Sequence, residues 1–291
     1  SDRLSGFAIG YDGRSRGDQN FYSTITGRAA PSSKDYPFVA PKWLRSFIHP
    51  EEGKVLAYMD FSHQEPCIQA ALSKDANLIK ATSEDVYLYT ANQAGALKGV
   101  NDPDRVKAVR KDYKVTFLAK SYGMGVQSVA RKLKKSVVVA REIINSIETL
   151  FEGYYKWVKD TVEMFKIRGQ MTTRHGWCRS CKGVQNLNER SLQNWPIQSH
   201  GAEILYWTVI NVRKAGYKII ATVHDAILVE FDITPNIILD VYKVRLIMER
   251  CAKEMVGANI KVDYEMILYN WKQEDEAAAL FDEIMKLVGD F

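Results

Sequence analysis

Strand-forming runs lie toward both ends of the chain, whereas its middle carries apolar residues at helical spacing. Val55-Leu56-Ala57-Tyr58-Met59 is a short apolar run that reads as a strand and ends on a carboxylate, Asp60. Ser62 followed three residues later by Glu65 has the capping-box pattern, so a helix is expected from there to about Lys74, with Pro66 tolerated in its first turn. Upstream, short strands are expected at Phe21–Ser23 and Trp43–Ile48, separated by a polar turn, Thr24 to Arg28, and by a stretch kept extended by Pro31, Pro37 and Pro41. Apolar spacing predicts helices over Asp85–Ala94, Asp104–Tyr122, Val126–Leu133 and from Val137 through Val158 to about Ile167. Gln170–Asn186 is rich in turn residues, and Asn188–Ala215 is a helix expected to be interrupted near Pro196. Tyr217–Phe231 reads as strand, two-residue corner, strand. A helix over Pro235–Met255, a strand over Ile260–Tyr269 and an acidic amphipathic helix over Asp275–Leu287 complete the chain.

Composition adds limits. The 291 residues suffice for one large core or two modest ones. No apolar run approaches the roughly 18 residues of a membrane span, and the first thirty residues have no signal-peptide pattern. Cys67, Cys178, Cys181 and Cys251 suit a reducing compartment better than a disulfide scaffold. His175 with Cys178-x-x-Cys181 falls short of the four ligands of a structural zinc site, and no second pair is spaced to complete it. Net charge is +5, but between Arg105 and Lys135 ten Lys/Arg stand against one acid, Asp112. A basic block on an otherwise near-neutral chain points either to a polyanion or to a solvated helix face.

Three stretches carry candidate chemistry. Asp60 stands where a strand meets a helix, and Asp225 stands in the corner of the later hairpin, beside His224. Either Asp alone is an ordinary turn residue. Together, two strand-end carboxylates could share divalent cations held about 3.5–4 Å apart, since Mg²⁺ keeps several waters and borrows ligands from phosphate. In the third stretch Arg110, Lys114, Leu118 and Tyr122 recur every four residues, a helical stripe about 18 Å long. It has cations at one end and an aromatic beside Gly123 at the other, the order that triphosphate, sugar and base would meet.

Taken in chain order, the stretches resemble motifs A, B and C of the family A DNA polymerases. Asp60-Phe61-Ser62-His63-Gln64-Glu65 is similar to D-[YF]-S-Q-I-E, Arg110-x3-Lys114-x7-Tyr122-Gly123 to R-x3-K-x7-Y-G, and Val223-His224-Asp225 to V-H-D. Thr24-x-Thr26-Gly27-Arg28 resembles T-x-T-G-R, Arg190-x3-Asn194-Trp195-Pro196-Ile197-Gln198 resembles R-x3-N-x-P-x-Q, and Asn270-Trp271 the usual ending. The resemblance implies an α/β (α+β) polymerase palm with a mostly antiparallel sheet and an inserted helical fingers subdomain. The expected division is 1–82 palm, 83–185 fingers, 186–272 palm and 273–291 a C-terminal acidic helix.

By the same resemblance Asp60 and Asp225 hold two Mg²⁺ ions, with Mn²⁺ as a substitute. Arg110 and Lys114 grip the incoming dNTP, and Lys114 protonates the departing pyrophosphate. Leu118, Tyr122, Gly123, His63 and Glu65 form the rest of the nucleotide site, Glu65 abutting the sugar where a ribose hydroxyl would clash. His224 contacts the primer end. Thr26, Arg28, Arg190, Asn194 and Gln198 contact primer–template DNA, the last four through minor-groove acceptors common to every base pair. The implied activity is template-directed DNA synthesis on a primer 3′ end; a single-subunit RNA polymerase and a non-catalytic DNA-binding remnant or subunit are the alternatives. The implied setting is the cytoplasm of a bacterial or phage-infected cell, at the nucleoid, or an organelle, with no membrane. The chain departs from the pattern in several places. Leu118 stands for Phe or Tyr, Ala226 for the Glu that usually follows H-D, His63 for Gln, and Pro66-Cys67 for Leu-Arg. Only about 23 residues precede Thr24, so thumb and exonuclease are expected to be absent, with thumb functions on a missing N-terminal region or a separate chain.

Overall fold

The computed structural model describes residues 9–32, 36–39, 42–182, 188–269, 271 and 275–288. In chain order the elements are β1 (Gln19–Asn20), β2 (Ala30–Pro31), two 3₁₀ turns (Pro37–Val39 and Lys42–Phe47), β3 (Lys54–Phe61), α1 (Gln64–Ser73), α2 (Ala76–Thr82) and α3 (Val86–Gln93). Then come α4 (Pro103–Ser121), α5 (Val126–Leu133), α6 (Val137–Leu150), α7 (Glu152–Arg168), β4 (Gln170–Thr172) and β5 (Cys178–Ser180). The last are α8 (Glu189–Lys214), β6 (Lys218–Val223), β7 (Ala226–Asp232), α9 (Ile237–Val256), β8 (Val262–Ile267) and α10 (Asp275–Val288). The chain divides into two compact units, one of residues 1–62, 202–252 and 261–291, the other of residues 63–201 and 253–260.

The first unit is built on a four-stranded antiparallel sheet in the order β6-β7-β3-β8. Along β3 the odd residues Val55, Ala57, Met59 and Phe61 are buried on one face. On the other face Leu56 joins Leu228, Ile267 and Trp271 in a small apolar cluster, with Tyr58 packed against it. Two expected strands are absent here. Trp43–Ile48 is instead mostly 3₁₀ turn: the rings of Trp43 and Phe47 meet edge to face at 6.3 Å, four residues apart, which an extended chain forbids. Its side chains serve tertiary contacts, Arg45 lying over the rings of Phe38 and Trp271 and Phe47 meeting Phe281 of α10 at 5.0 Å. Phe21–Ser23 is a turn after β1, and Phe21 and Tyr22 pack on Tyr206 at 6.2 and 4.5 Å. The two-residue corner at His224–Asp225 is present as expected, as is the final strand.

The second unit is helical apart from the β4–β5 hairpin. Leu78, Val86, Phe117, Ile147, Phe151 and Tyr154 meet in its principal apolar cluster. The stretch expected as one helix from Val137 to Ile167 is two, α6 and α7, broken at the fully buried Phe151. The helix expected to end near Lys74 does so, but the chain restarts at once in α2. Lys74 takes a left-handed conformation (φ 56°), and Asp75 caps the new helix. Conversely α8 runs unbroken through Pro196. The proline carbonyl accepts the ring Nδ1–H of His200 at 2.7 Å, while Nε2 of the same ring accepts the backbone N–H of Arg174 at 3.3 Å. The Ser62/Glu65 capping box does not form. The N-cap of α1 is His63, in the left-handed region (φ 52°) with no side-chain cap bond, and Ser62 Oγ donates to Asp263 instead.

Asp75 ties two helices together. Its Oδ1 accepts the N–H of Leu78 at 2.8 Å, and its Oδ2 accepts that of Tyr154, in the first turn of α7, at 3.0 Å. A Cβ on Gly153 would lie 2.8 Å from the same Oδ2, so Gly153 admits the contact. Asp75→Ala strands two buried donors and is expected to destabilise the protein by about 2–4 kcal/mol, read as a lowered urea midpoint. A loss under about 1 kcal/mol would show that these bonds are replaced by water.

Candidate active site

The sheet register brings Asp60 and Asp225 together within the first unit. Met59 pairs with Ile227 and Val223 with Ala226, so Asp60 lies beside Ala226, and Asp225 is the next residue along. One strand spacing, about 4.8 Å, and one residue step separate the two acids. Asp60 is also directly opposite Asp263 of β8, on the same face as Tyr58 and Glu265. Burial, then the charges of Asp60, Asp225 and Glu265, push the Tyr58 hydroxyl well above its ordinary value. Asp263 and Glu265 are not legible as site residues in the sequence, because only the register of the last strand brings them to this face.

The corner itself is held from outside. His224 adopts φ 56°, a conformation that His tolerates better than most residues. Gln19 accepts from Thr222 Oγ1 at 2.9 Å and donates to its carbonyl at 3.1 Å, and the Tyr36 hydroxyl donates to that carbonyl too. On β7 the buried Glu230 sits between Arg14 (2.9 Å) and Lys218 (2.6 Å). Thr24 and Thr26 hydroxyls bond each other at 3.0 Å, Gly27 turns at φ 78°, and its carbonyl accepts the Tyr206 hydroxyl at 2.9 Å, which fixes the turn that presents Arg28.

The second unit gathers the remaining candidates. Arg110, Lys114 and Leu118 lie along α4, whereas Tyr122 is its C-cap residue, one step beyond the helix, and exposed. Its hydroxyl donates to Glu65 Oε1 at 2.9 Å, and Gln198 Nε2 lies 2.5 Å from the same oxygen and 2.8 Å from the Tyr122 hydroxyl. Glu65 is thus a held carboxylate, but held by Tyr122 and Gln198 rather than by a capping box. Gly123 has φ 70°, and a Cβ there would come 2.9 Å from Arg190 Cγ and 2.8 Å from Gln193 Oε1. The residue must therefore be Gly both for its conformation and for the seat of the Arg190 stem. Both amide atoms of Asn194 are buried with no hydrogen-bond partner among the described residues. Among the described residues four of the ten cations between Arg105 and Lys135 are paired, Lys107 with Asp104, Arg110 with Asp85, Lys120 with Glu148 and Lys135 with Asp112, which softens the basic block.

The carboxylate pair offers hard oxygen donors of the kind Mg²⁺ takes. Among the described residues no group of three or more His, Cys, Asp or Glu is gathered for an ion, so most of a bound ion's sphere would be water or phosphate. Nor, among the described residues, are His175, Cys178 and Cys181 gathered as such a group, and Nε2 of His175 lies 3.2 Å from the Met255 carbonyl.

A model of the family described as DNA polymerase family A matches residues 10–273. The chain belongs to DNA polymerase family A. Relatives are bacterial enzymes named DNA polymerase I. That of Caldicellulosiruptor bescii is 29% identical over 225 residues, 71% of this chain and 26% of the relative. The thermostable enzyme of Thermus thermophilus is 28% identical, with 72% and 27% covered, and that of Streptococcus pneumoniae 27% identical, with 82% and 27% covered. The chain spans about a quarter of the length of these relatives. The fold is similar to the POL domain of Pol1 from M. smegmatis, solved in complex with DNA primer-template and dNTP, with a TM-score of 0.77 and 23% identity over 92% of this chain and 50% of that one. Within this family A chain no described helix is long and apolar enough to cross a membrane.

Asp85, which holds Arg110, gives a pH dependence. Burial pushes its carboxyl up, but the hydrogen bonds from Arg110 and the Leu88 N–H outweigh that and hold it below the ordinary 3.8. A group depressed on folding stabilises above its unfolded value and stops doing so as pH falls through its folded one. The stability advantage of the parent over Asp85→Asn, measured by urea unfolding, is therefore expected to be full at pH 6 and to shrink from about pH 4 downward. An advantage constant to about pH 2 would contradict it.

Proposed function

We propose that this chain catalyses template-directed DNA synthesis, adding deoxynucleotides to a primer 3′ end. The observation that carries the proposal is the register that makes Asp60 and Asp225 neighbours in one sheet. The reaction forms a bond between the primer 3′ oxygen and the α-phosphorus of the dNTP and breaks that to pyrophosphate. The primer hydroxyl gives up a proton, and the departing pyrophosphate gains one. Protein groups have little covalent work to do in such a transfer, so positioning and neutralisation of charge carry it. In this reading Asp60 and Asp225 hold two Mg²⁺ ions (or Mn²⁺). Bound there, the ions polarise the attacking and leaving oxygens. Arg110 and Lys114 take the phosphates, and Lys114 Nζ supplies the proton to the leaving group. Tyr122 and Gly123 pack at the templating pair, with Leu118 leaving one stacking surface smaller than an aromatic would. His63 lines the nucleotide site. His224 meets the primer end, Thr26 meets the DNA, and Arg28, Arg190, Asn194 and Gln198 meet the minor groove.

Glu65 has a further part. A carboxylate fixed by the Tyr122 hydroxyl and the Gln198 amide is a wall that cannot yield easily to a ribose 2′-hydroxyl. The M. smegmatis neighbour, solved with primer-template and dNTP, supports the same choice of ligands. The division into palm (1–82 and 186–272), fingers (83–185) and a C-terminal helix (273–291) is proposed with the function. So is a thumb contributed from outside these 291 residues. DNA affinity of this segment alone is then weak and strongly salt-dependent. A compartment holding DNA and dNTPs, the bacterial cytoplasm at the nucleoid, agrees with the same reading.

Primer extension with Mg²⁺, parent against Asp225→Ala, is the direct test. Loss of a carboxylate that holds the reacting cations is expected to lower the rate at least about 10³-fold. Equal signal from both proteins would sink the enzyme reading and favour a non-catalytic DNA-binding chain. Faster extension by the parent with rNTP than with dNTP would instead favour an RNA polymerase. Glu65→Ala is expected to raise ribonucleotide incorporation relative to deoxynucleotide by about tenfold or more. An unchanged ratio would mean that Glu65 only ties Tyr122 to Gln198.

A further inference from the structure

Arg110 and Lys114, one turn apart on α4, share a single aromatic ring. The guanidinium carbon of Arg110 lies 5.4 Å, and Nζ of Lys114 5.9 Å, from the centroid of Tyr87, within the reach of cation–π attraction. Tyr87 is the second residue of α3 and is 3% exposed. Its ring is braced edge to face by the buried Phe117 at 6.0 Å and by His63 at 5.3 Å. Two residues earlier, Asp85 is the N-cap of α3. Its Oδ1 accepts the N–H groups of Tyr87 (3.1 Å) and Leu88 (2.9 Å), and its Oδ2 accepts Nε of Arg110 at 2.7 Å, with Nη2 also at 2.7 Å. Each carboxylate oxygen therefore has its own task, one fixing the helix start and the other the cation. Arg110 is gripped side-on, and a guanidinium carries five N–H donors, so donors remain for an anion.

We propose that the first turn of α3 is a seat for the two phosphate-gripping cations, with Asp85 and Tyr87 as positioning residues that set affinity for the triphosphate of the incoming nucleotide. This rests on the polymerase reading. Long cationic side chains lose rotamer freedom when they close on a ligand, and a side chain already held has less to lose. The carboxylate fixes the guanidinium plane, and the ring face carries both charges without competing for their hydrogen-bond donors. A contrary role has the opposite sign. Were Asp85 a stand-in for phosphate that the nucleotide must displace, its removal would tighten binding.

Asp85→Asn tests this, because Asn is as good an N-cap as Asp, while the charge and the oxygen that accepts from Arg110 are both lost. Tyr87→Leu removes the ring, and Tyr87→Phe restores it. The measurements are equilibrium binding of Mg-dATP and single-nucleotide extension on a primer–template, using the full chain with and without Arg110→Ala. Asp85→Asn and Tyr87→Leu are each expected to weaken dATP binding about tenfold, the scale of one hydrogen bond to a charged group, with kcat and the Kd for primer–template within about twofold. Tyr87→Phe should recover most of what Tyr87→Leu loses. In the Arg110→Ala background Asp85→Asn should add less than about twofold. Tighter or unchanged dATP binding by Asp85→Asn, or the same loss in both backgrounds, overturns the seat. A parent that neither binds dATP nor extends the primer overturns the polymerase reading and the seat with it, whereas a functional parent matched by Asp85→Asn overturns the seat alone.

Discussion

The registration of β3 between β7 and β8 is the constraint that determines the carboxylate site. Side chains alternate with a period of two, so a slip of one residue would exchange the two faces of the strand. Leu56, Tyr58 and Asp60 would turn to the side that buries Val55, Ala57 and Met59, carrying a charge into apolar surroundings. The buried cluster of Leu56, Leu228, Ile267 and Trp271 therefore fixes where Asp60 points, although none of its members need take part in chemistry. The two-residue corner fixes the other acid, since a hairpin that tight leaves no slack in which Asp225 could drift from the end of β7. Around it, β6 is the outer strand and carries an irregularity between Ile219 and Ala221. Gln19 and Tyr36 supply at Thr222 the bonds that a neighbouring strand would otherwise provide.

The same registration concentrates charge. Asp60 and Asp263 are direct cross-strand partners, a pairing of like charges that opposes folding in any protein without compensating cations. Glu265 adds a third acid to that face, and the Tyr58 hydroxyl, raised first by burial, is raised further by Asp60, Asp225 and Glu265. A sheet shaped for stability alone would place a cation or an apolar residue opposite Asp60. Retaining acids there is the kind of local conflict expected at a working site, offset by the apolar cluster lower on the same face.

Local pattern is the part of this fold that the sequence makes legible. Helix α4 is declared by its spacing, and the hairpin by apolar runs on either side of a polar corner. Gly123 is legible as a residue with a task, although its reason, a positive φ against the Arg190 stem, is not. The misreadings fall where side chains serve partners distant in sequence. Trp43 to Phe47 have strand-like composition, but their rings and Arg45 are committed to Trp271 and Phe281, which a turn of 3₁₀ helix satisfies and a strand would not. Ser62 and Glu65 have the capping pattern, yet Ser62 serves Asp263 and Glu65 serves Tyr122, 201 and 57 residues away. Asp85 and Tyr87 look like an ordinary helix start, and nothing short of the packing of α3 on α4 connects them with Arg110.

Ala226 shows how a departure from the family pattern fits the charge balance of this sheet. It is fully buried at the head of β7, beside Asp60 on one side as Asp263 is on the other. The family usually has Glu after His-Asp. Had this chain kept one, Asp60 would face acids on both neighbouring strands, with Asp225 one residue away. At separations of about 5 Å each added carboxylate raises the repulsion on those already present, and burial weakens the screening that water provides. An alanine on β7 and an aspartate on β8 leave Asp60 with one acidic cross-strand neighbour rather than two. With alanine at 226, one of the three places in that row is neutral and small.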